Sequence, residues 1–183
     1  MPRYFTNYWK NDNCEHYLKQ GLDGEPLDHT AGSRFNRSGV GSVAGERDYV
    51  YVMTVLEGRL CLIGKMEVKG PAVTQKQAAA LLSYKPYDAP EHLMAKACTP
   101  MRFNWKDPVS ISTTRALEFK VPGTNRTRRL KFRPGTTLLD PQTLRSVRQL
   151  TPQSAVRLDA LLKPMHSVDW ESIESPPPLD TTR

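Results

Sequence analysis

The fold of this 183-residue chain follows from residues 48–70, DYVYVMTVLEGRLCLIGKMEVKG. The stretch contains two runs rich in valine, tyrosine, leucine and isoleucine, which favour a pleated and half-buried surface, and the runs meet at Glu57-Gly58. A glycine at that point allows a two-residue turn with positive φ. The stretch therefore predicts a β-hairpin. The even-numbered residues from Leu60 to Val68 are expected to share one face and to form the core.

A second hairpin is predicted over residues 115–135, where the sequence PGTN at residues 122–125 supplies the turn. Apolar side chains alternate with basic ones on both sides of this turn. Because side chains alternate between the two faces of a strand, the basic residues are expected to lie together on the solvent side. These outward basic residues are Lys120, Arg129, Lys131 and Arg133.

Three short helices are predicted from their caps. Thr74 is followed three residues later by Gln77, which is the spacing of a capping box. Asp140 and Thr151 are each followed directly by proline, which is typical of the first position of a helix. The hairpins and these helices indicate an α/β chain of the α+β kind.

The domain organisation follows from length and composition. A chain of 183 residues suits one domain with a real core. Residues 1–165 are expected to form this domain. Residues 166–183 are expected to form a partly disordered tail, because their ESPPPLDTTR segment contains three prolines in a row.

The composition also bears on the compartment. Hydrophobic residues make up 38% of the chain, and no apolar run approaches the roughly 20 residues of a membrane helix. The first residues lack the apolar segment of a secretory signal. The three cysteines, Cys14, Cys61 and Cys98, have no disulfide-framework spacing. We expect a cytoplasmic protein that makes no membrane contact.

The net charge of +7 is concentrated between residues 102 and 148. This segment holds eleven lysines and arginines against three acids, a net charge of +8, so the rest of the chain nets −1. A local surplus of this size predicts a surface that faces a polyanion such as DNA or RNA. A basic face that meets an acidic protein, or that is merely solvated, is the alternative.

Cofactor and metal motifs are weak in this chain. The glycines of GVGSVAG at residues 39–45 precede a strand, whereas a nucleotide-binding loop needs them to open a helix. Cys14 and His16 lie two residues apart, but no second ligand pair has the spacing of a zinc site. We therefore expect neither a cofactor nor a metal.

One catalytic pattern competes with a binding role. Asp48, Glu67 and Lys69 follow the D…ExK order of a large class of magnesium-dependent nucleases. A turn at Glu57-Gly58 would place Asp48 directly opposite Glu67, and two carboxylates on neighbouring strands can hold Mg²⁺. A magnesium-dependent nuclease is thus an alternative function.

Aromatic residues are interleaved with basic ones at three places. Tyr8 and Trp9 follow an N-terminal aromatic run, Phe35 lies in an arginine-rich segment, and Trp105 lies between basic residues. An unpaired base is commonly held by stacking on aromatic side chains beside cations. These four residues are the aromatic candidates for a base pocket.

Four segments together resemble a known family. They are RYFTNYW at residues 3–9, SRFNRSGV at 33–40, GERDYVYV at 45–52 and GRLCLIGKMEV at 58–68. In this order they are similar to the EVE domains of the PUA-like superfamily, whose relatives include YTH and ASCH domains. The resemblance covers residues 3–69.

The resemblance implies a PUA-like pseudo-barrel of mixed strands with peripheral helices and a pocket for a flipped, modified base. Asn36 would read the base edge, and Arg34 or Arg37 would hold phosphate beside the pocket. Because no complete catalytic constellation is visible, binding to DNA or RNA without catalysis is favoured over the nuclease and the protein-interaction module. A nuclease of a restriction system is a candidate protein partner.

Overall fold

The computed structural model of the chain describes residues 1–33, 35, 47–103, 105–145 and 147–171. The strands are β1 (Arg3–Tyr8), β2 (His29–Gly32), β3 (Asp48–Leu56), β4 (Arg59–Val68), β5 (Glu91–Cys98), β6 (Glu118–Lys120), β7 (Thr127–Arg129), β8 (Arg148–Gln149) and β9 (His166–Ser167). The helices are α1 (Asn11–Leu18), α2 (Gln75–Leu81), α3 (Ile111–Ala116) and α4 (Pro152–Asp159), with a 3-10 helix at Pro141–Leu144.

The strands form one curled, half-barrel sheet in the order β2-β5-β4-β3-β1-β8, and β9 pairs with β5. Strand β1 runs parallel to β3, whereas β8 pairs with β1 in the antiparallel direction. Strands β6 and β7 form a separate antiparallel pair. The predicted mixed α/β class is confirmed at this level.

The predicted hairpin of β3 and β4 is confirmed, and its turn has the expected backbone. Glu57 has φ 49° and Gly58 has φ 74°, so both central residues adopt the left-handed conformation that a two-residue turn requires. A Cβ atom at Gly58 would also approach Leu138 to 2.8 Å. Glycine at this position therefore serves both the turn and the packing.

The hairpin contains a β-bulge that the sequence pattern does not reveal. Val52 opposes Gly64, but the next residue, Met53, opposes Leu62. Ile63 is therefore an extra residue in β4. An extra residue reverses the side on which the following side chains lie.

The expectation that the even-numbered residues of β4 share one face is wrong because of this bulge. Leu60, before the bulge, belongs to a core cluster on one face of the sheet, and Met66, after it, belongs to the cluster on the other face. Lys65 is consequently paired with Tyr51 across the hairpin. Strand β4 therefore contributes to both cores.

The first core cluster lies on one face of the sheet, where side chains of the strands pack against α1. Its large members include Phe5, Trp9, Tyr17, Phe35, Met66 and Leu93. The second core cluster lies between the other face, the β6–β7 pair and α4. Its members include Tyr51, Met53, Leu60, Phe119, Leu150 and Leu158.

The bulge also shifts the pairing expected for the acidic residues. Glu67 opposes Tyr49, not Asp48. Asp48 lies beside Arg3 in the parallel pair of β1 and β3. The predicted direct opposition of Asp48 and Glu67 is therefore wrong, because the register differs by one residue beyond the bulge.

The second hairpin is present as the short pair β6 and β7. Phe119 and Leu130 are buried, whereas the four predicted outward basic residues are exposed. Phe119 also forms an isolated bridge with Leu150, just after β8. This bridge attaches the β6–β7 pair to the edge of the main sheet.

All three predicted helix caps are confirmed, and Asp140 accepts a hydrogen bond from the Gln142 N–H. Thr74 and Gln77 form the capping box of α2, and Thr151 caps α4 by accepting a hydrogen bond from the Ser154 N–H. The segment after Asp140 forms only a 3-10 turn. Within the described residues, no helix combines the length and apolarity needed to cross a membrane.

The folded part of the chain continues past residue 165, the boundary expected from the sequence. His166 and Ser167 pair with β5. Trp170 is 6% exposed, and its Nε1 donates a 2.7 Å hydrogen bond to the Ala95 carbonyl. The remaining tail residues, 172–183, lie outside the described part.

His92 is a fully buried histidine on β5. Its Nε2 lies 2.5 Å from Gln75 Oε1, and its ring stacks on His29 with centroids 5.7 Å apart. Its Nδ1 has no hydrogen-bond partner among the described residues. Burial, followed by the nearby His29, lowers the pKa of His92 from 6.5 to about 4.

This lowered pKa predicts acid sensitivity. The unfolded chain takes up the His92 proton near pH 6.5 and the folded chain near pH 4, so stability is complete above pH 6.5 and falls as pH drops towards 4. The loss attributable to His92 should be about 2–3 kcal/mol. Urea unfolding from pH 7.5 to 4 should show a shallower decline for His92→Gln than for the unaltered chain. Parallel declines would contradict the assignment.

Candidate nucleic-acid interface

An open cavity of about 680 Å³ lies at the C-terminal end of β1. This volume is within the range of about 300–1,000 Å³ that is usual for small-molecule sites. The wall comes from β1, α1, β2, the loop before β5 and the segment after the 3-10 helix. The polar and aromatic residues that line it include Asn7, Tyr8, Lys10, Asn13, Tyr87 and Arg145.

Asn7 is held in one orientation by β2. Its Nδ2 donates hydrogen bonds of 2.8 Å to Thr30 Oγ1 and to the Ala31 carbonyl. A carbonyl only accepts, so the amide nitrogen must face Ala31 and the amide oxygen must face the other way. Asn7 therefore contributes a side-chain amide of fixed orientation to the cavity wall.

Asn13 supplies an acceptor with no partner. Its side chain is buried, and its Oδ1 forms no hydrogen bond within the part of the chain that the structure describes. An unsatisfied buried acceptor costs about 1–3 kcal/mol. A ligand N–H group in the cavity would remove that cost.

Two tyrosines add aromatic surface to the cavity. Tyr87 is fixed because its hydroxyl donates to Asp12 Oδ2 at 2.8 Å and its backbone N–H donates to the Tyr17 hydroxyl at 3.0 Å. Tyr8 is half-buried at the end of β1. Burial raises the pKa of the Tyr8 phenol, and the charge of Arg145 opposes this rise. Both tyrosines remain neutral at pH 7.

The charge at the cavity is mixed but mainly positive. Lys10 and Arg145 are exposed on its wall, and Asp88 is the one acid among its described lining residues. An exposed pair of cations beside aromatic and amide groups suits a ligand that carries both a planar ring and a negative charge.

The residues predicted for a base pocket occupy different environments. Tyr8 lines the cavity, whereas Trp9 and Phe35 are fully buried behind it. Trp9 donates to Thr30 Oγ1 at 2.9 Å and packs on Tyr17. Trp105 packs edge-on against Phe103, away from the cavity lining. Arg34, Asn36 and Arg37 lie outside the described residues.

The predicted phosphate-binding residues of the second hairpin form an exposed basic surface. Lys120, Lys131 and Arg133 are exposed. Arg129 is also exposed, but its Nη2 lies 3.1 Å from Glu118 Oε1, its neighbour across the strand pair. Arg129 is thus partly neutralised, and the other three residues carry the positive field of this surface.

The structure does not bring Asp48, Glu67 and Lys69 together as a catalytic set. Asp48 is buried and forms an ion pair with Arg3. Glu67 pairs with Lys96 at 3.2 Å, and Lys69 Nζ lies 5.1 Å from the ring centroid of Trp170. Among the described residues, no group of three or more histidine, cysteine or acidic side chains could hold a metal ion.

Of the six cavity residues named above, five were not candidates in the sequence: Asn7, Lys10, Asn13, Tyr87 and Arg145. Asn13 lies on α1, a helix with weak sequence signals, and Tyr87 is about 80 residues from β1 in the chain. No local signal marks Asn13, because it lies in the first turn of α1, where asparagine is common.

Opposite effects on stability are expected at the two asparagines. Asn13→Leu removes an unsatisfied buried acceptor, so the free protein should become more stable by about 1 kcal/mol. Asn7→Leu breaks two buried hydrogen bonds and should destabilise the protein by about 2 kcal/mol. Urea unfolding of both variants tests the contrast. A destabilisation by Asn13→Leu as large as that by Asn7→Leu would show that Oδ1 of Asn13 is satisfied.

Comparison with known proteins adds no functional information, so a functional proposal has to rest on the geometry of the cavity. No protein-family model, curated protein or solved structure matches the chain. The resemblance to EVE domains stays a prediction from the quoted segments.

Proposed function

We propose that the chain is a PUA-like domain of the EVE type, which holds one base of DNA or RNA in the cavity at the end of β1. The observation that carries this proposal is the cavity itself, whose wall brings aromatic, amide and basic side chains together beside the buried, unpartnered Oδ1 of Asn13. The wall therefore contains one acceptor with an unmet need for a hydrogen-bond donor. Base edges supply such donors through ring N–H and amino groups.

Base recognition would use stacking and edge contacts together. Stacking on an aromatic side chain contributes about 1–3 kcal/mol per base. The oriented amide of Asn7 and the unpartnered Oδ1 of Asn13 would discriminate among base edges, because a base with an acceptor in place of a donor would leave that Oδ1 unpaired. Recognition of a modified base in a flipped state follows from the resemblance to EVE domains.

The basic surface of the second hairpin would hold the backbone of the nucleic acid. Lys120, Lys131 and Arg133 are exposed there, and phosphate contacts of this kind give affinity without sequence preference. The resemblance implies in addition that Arg34 or Arg37 would hold phosphate and that Asn36 would read the base edge. A restriction-system nuclease remains the candidate protein partner.

The state of the cysteines counts against catalysis by a thiol nucleophile. The three cysteines are buried, and burial raises the pKa of Cys14 and Cys98 to about 12. They are therefore protonated thiols at neutral pH, not nucleophiles. Free thiols also suit the reducing cytoplasm in which we place the protein.

Base dependence is the direct test of this proposal. Fluorescence anisotropy with single-stranded DNA and RNA oligonucleotides, each carrying one modified or unmodified base, should identify a preferred base. Tyr8→Ala should weaken binding to that oligonucleotide about tenfold, because one stacking contact is lost, and should reduce the preference. Lys76→Ala, on the exposed side of α2, is the control and should change neither.

Two results would contradict the proposal. One is equal affinity for every base and for an abasic oligonucleotide. The other is magnesium-dependent cleavage that disappears in Asp48→Asn, since this would support the nuclease alternative.

A further inference from the structure

Two arginines lie on the face of β8, β6 and β7 that also carries Leu150 and Phe119. Arg148 on β8 lies opposite Thr6, and Leu150 follows two residues later. Leu150 forms a bridge with Phe119, which pairs with Arg128 on β7. Residues two apart in a strand, and residues directly opposed across a pair, share a face. Arg148 and Arg128 therefore lie on one face, separated by β6.

Arg148 lacks the partners that a buried guanidinium normally has. Its Nε is buried and forms no hydrogen bond within the described part of the chain. In the same part of the chain, no carboxylate forms an ion pair with Arg148 or Arg128. Burial and the charge of Arg128 lower the pKa of Arg148. One bound anion would reduce the repulsion between the two arginines and would give the unsatisfied Nε donor an acceptor.

The position of this pair connects it with the cavity. Arg145, three residues before Arg148, lies on the cavity wall and acts electrostatically on Tyr8. Tyr8 is the last residue of β1, and Thr6, two residues earlier on the same face, opposes Arg148. A chain of positive groups thus leads from the cavity along β8 to β7.

We propose that Arg148 and Arg128 form a phosphate-binding site for the phosphate adjoining the base in the cavity. Guanidinium groups suit this ligand because their planar fork of N–H donors matches two phosphate oxygens. The site differs from the exposed hairpin lysines, since it combines a partly buried donor with a neighbouring cation. Its link to a base rests on the proposed function, whereas its affinity for phosphate does not.

Inorganic phosphate tests the site without any nucleic acid. Thermal unfolding is measured at constant ionic strength while phosphate replaces chloride. Phosphate should raise the Tm of the unaltered chain and of Arg129→Gln, a matched control whose arginine is already paired with Glu118. Arg148→Gln should lose this response. Its Tm in chloride should be no lower than that of the unaltered chain, because a poorly solvated charge beside Arg128 has been removed.

Arg148→Lys separates charge from geometry. Lysine keeps the positive charge but lacks the Nε donor and the planar fork, so the phosphate response should be at least halved. A full phosphate response in Arg148→Gln would overturn the site. So would a response in Arg148→Lys equal to that of the unaltered chain.

The link to the base is tested with a nucleoside of the preferred base and its 5′- and 3′-monophosphates. One of the monophosphates should bind at least tenfold more tightly than the nucleoside, and Arg148→Gln should remove that difference while leaving nucleoside binding unchanged. Nucleoside binding with no gain from either phosphate would overturn this inference and leave the proposed function standing. A phosphate response that depends on Arg148, with no nucleoside binding, would support the phosphate site and count against the base pocket.

Discussion

An extra residue at Ile63 reverses the sides of the β4 strand, and the arrangement of both cores depends on this reversal. Without it, Lys65 would lie in the first core cluster. With it, Lys65 lies beside Tyr51 and Tyr49, and its Nζ contacts Asp159 Oδ1 at 2.8 Å. The Tyr51 hydroxyl donates to the same carboxylate oxygen. A nearly buried charge is thereby paired, and helix α4 is attached to the second face of the sheet.

The cavity depends on a second constraint, a buried hydrogen-bond chain that joins α1, β2 and the loop before β5. The Tyr17 hydroxyl lies 2.8 Å from His29 Nε2, and His29 Nδ1 lies 2.9 Å from the Tyr84 hydroxyl. The Tyr84 hydroxyl in turn donates to Asp28. Since Asn13 and Tyr87 lie on the elements that this chain joins, the network fixes the cavity wall before a ligand arrives. Preorganised groups of this kind bind with a smaller entropic loss.

Much of the fold follows from local patterns in the sequence. The turn at Glu57-Gly58 and the cap at Thr74 depend on residues close in the chain, so both are predictable. The bulge is not predictable. Apolar residues occupy both even and odd positions at residues 60–63, so the sequence pattern does not show where an extra residue lies. Trp9 and Phe35 show a further limit of prediction from sequence. Their aromatic rings suit a base pocket, but their burial depends on strands that are distant in sequence. The cavity joins residues from five parts of the chain, and no local pattern indicates that set.

We propose above that a base enters the cavity at the end of β1. Photo-crosslinking with an oligonucleotide that carries a photoreactive analogue at the preferred base position, followed by peptide mapping, tests this claim most directly. We expect crosslinks to Tyr8 or Tyr87, which line the cavity. Crosslinks confined to the β6–β7 pair, with none at the cavity, would contradict it.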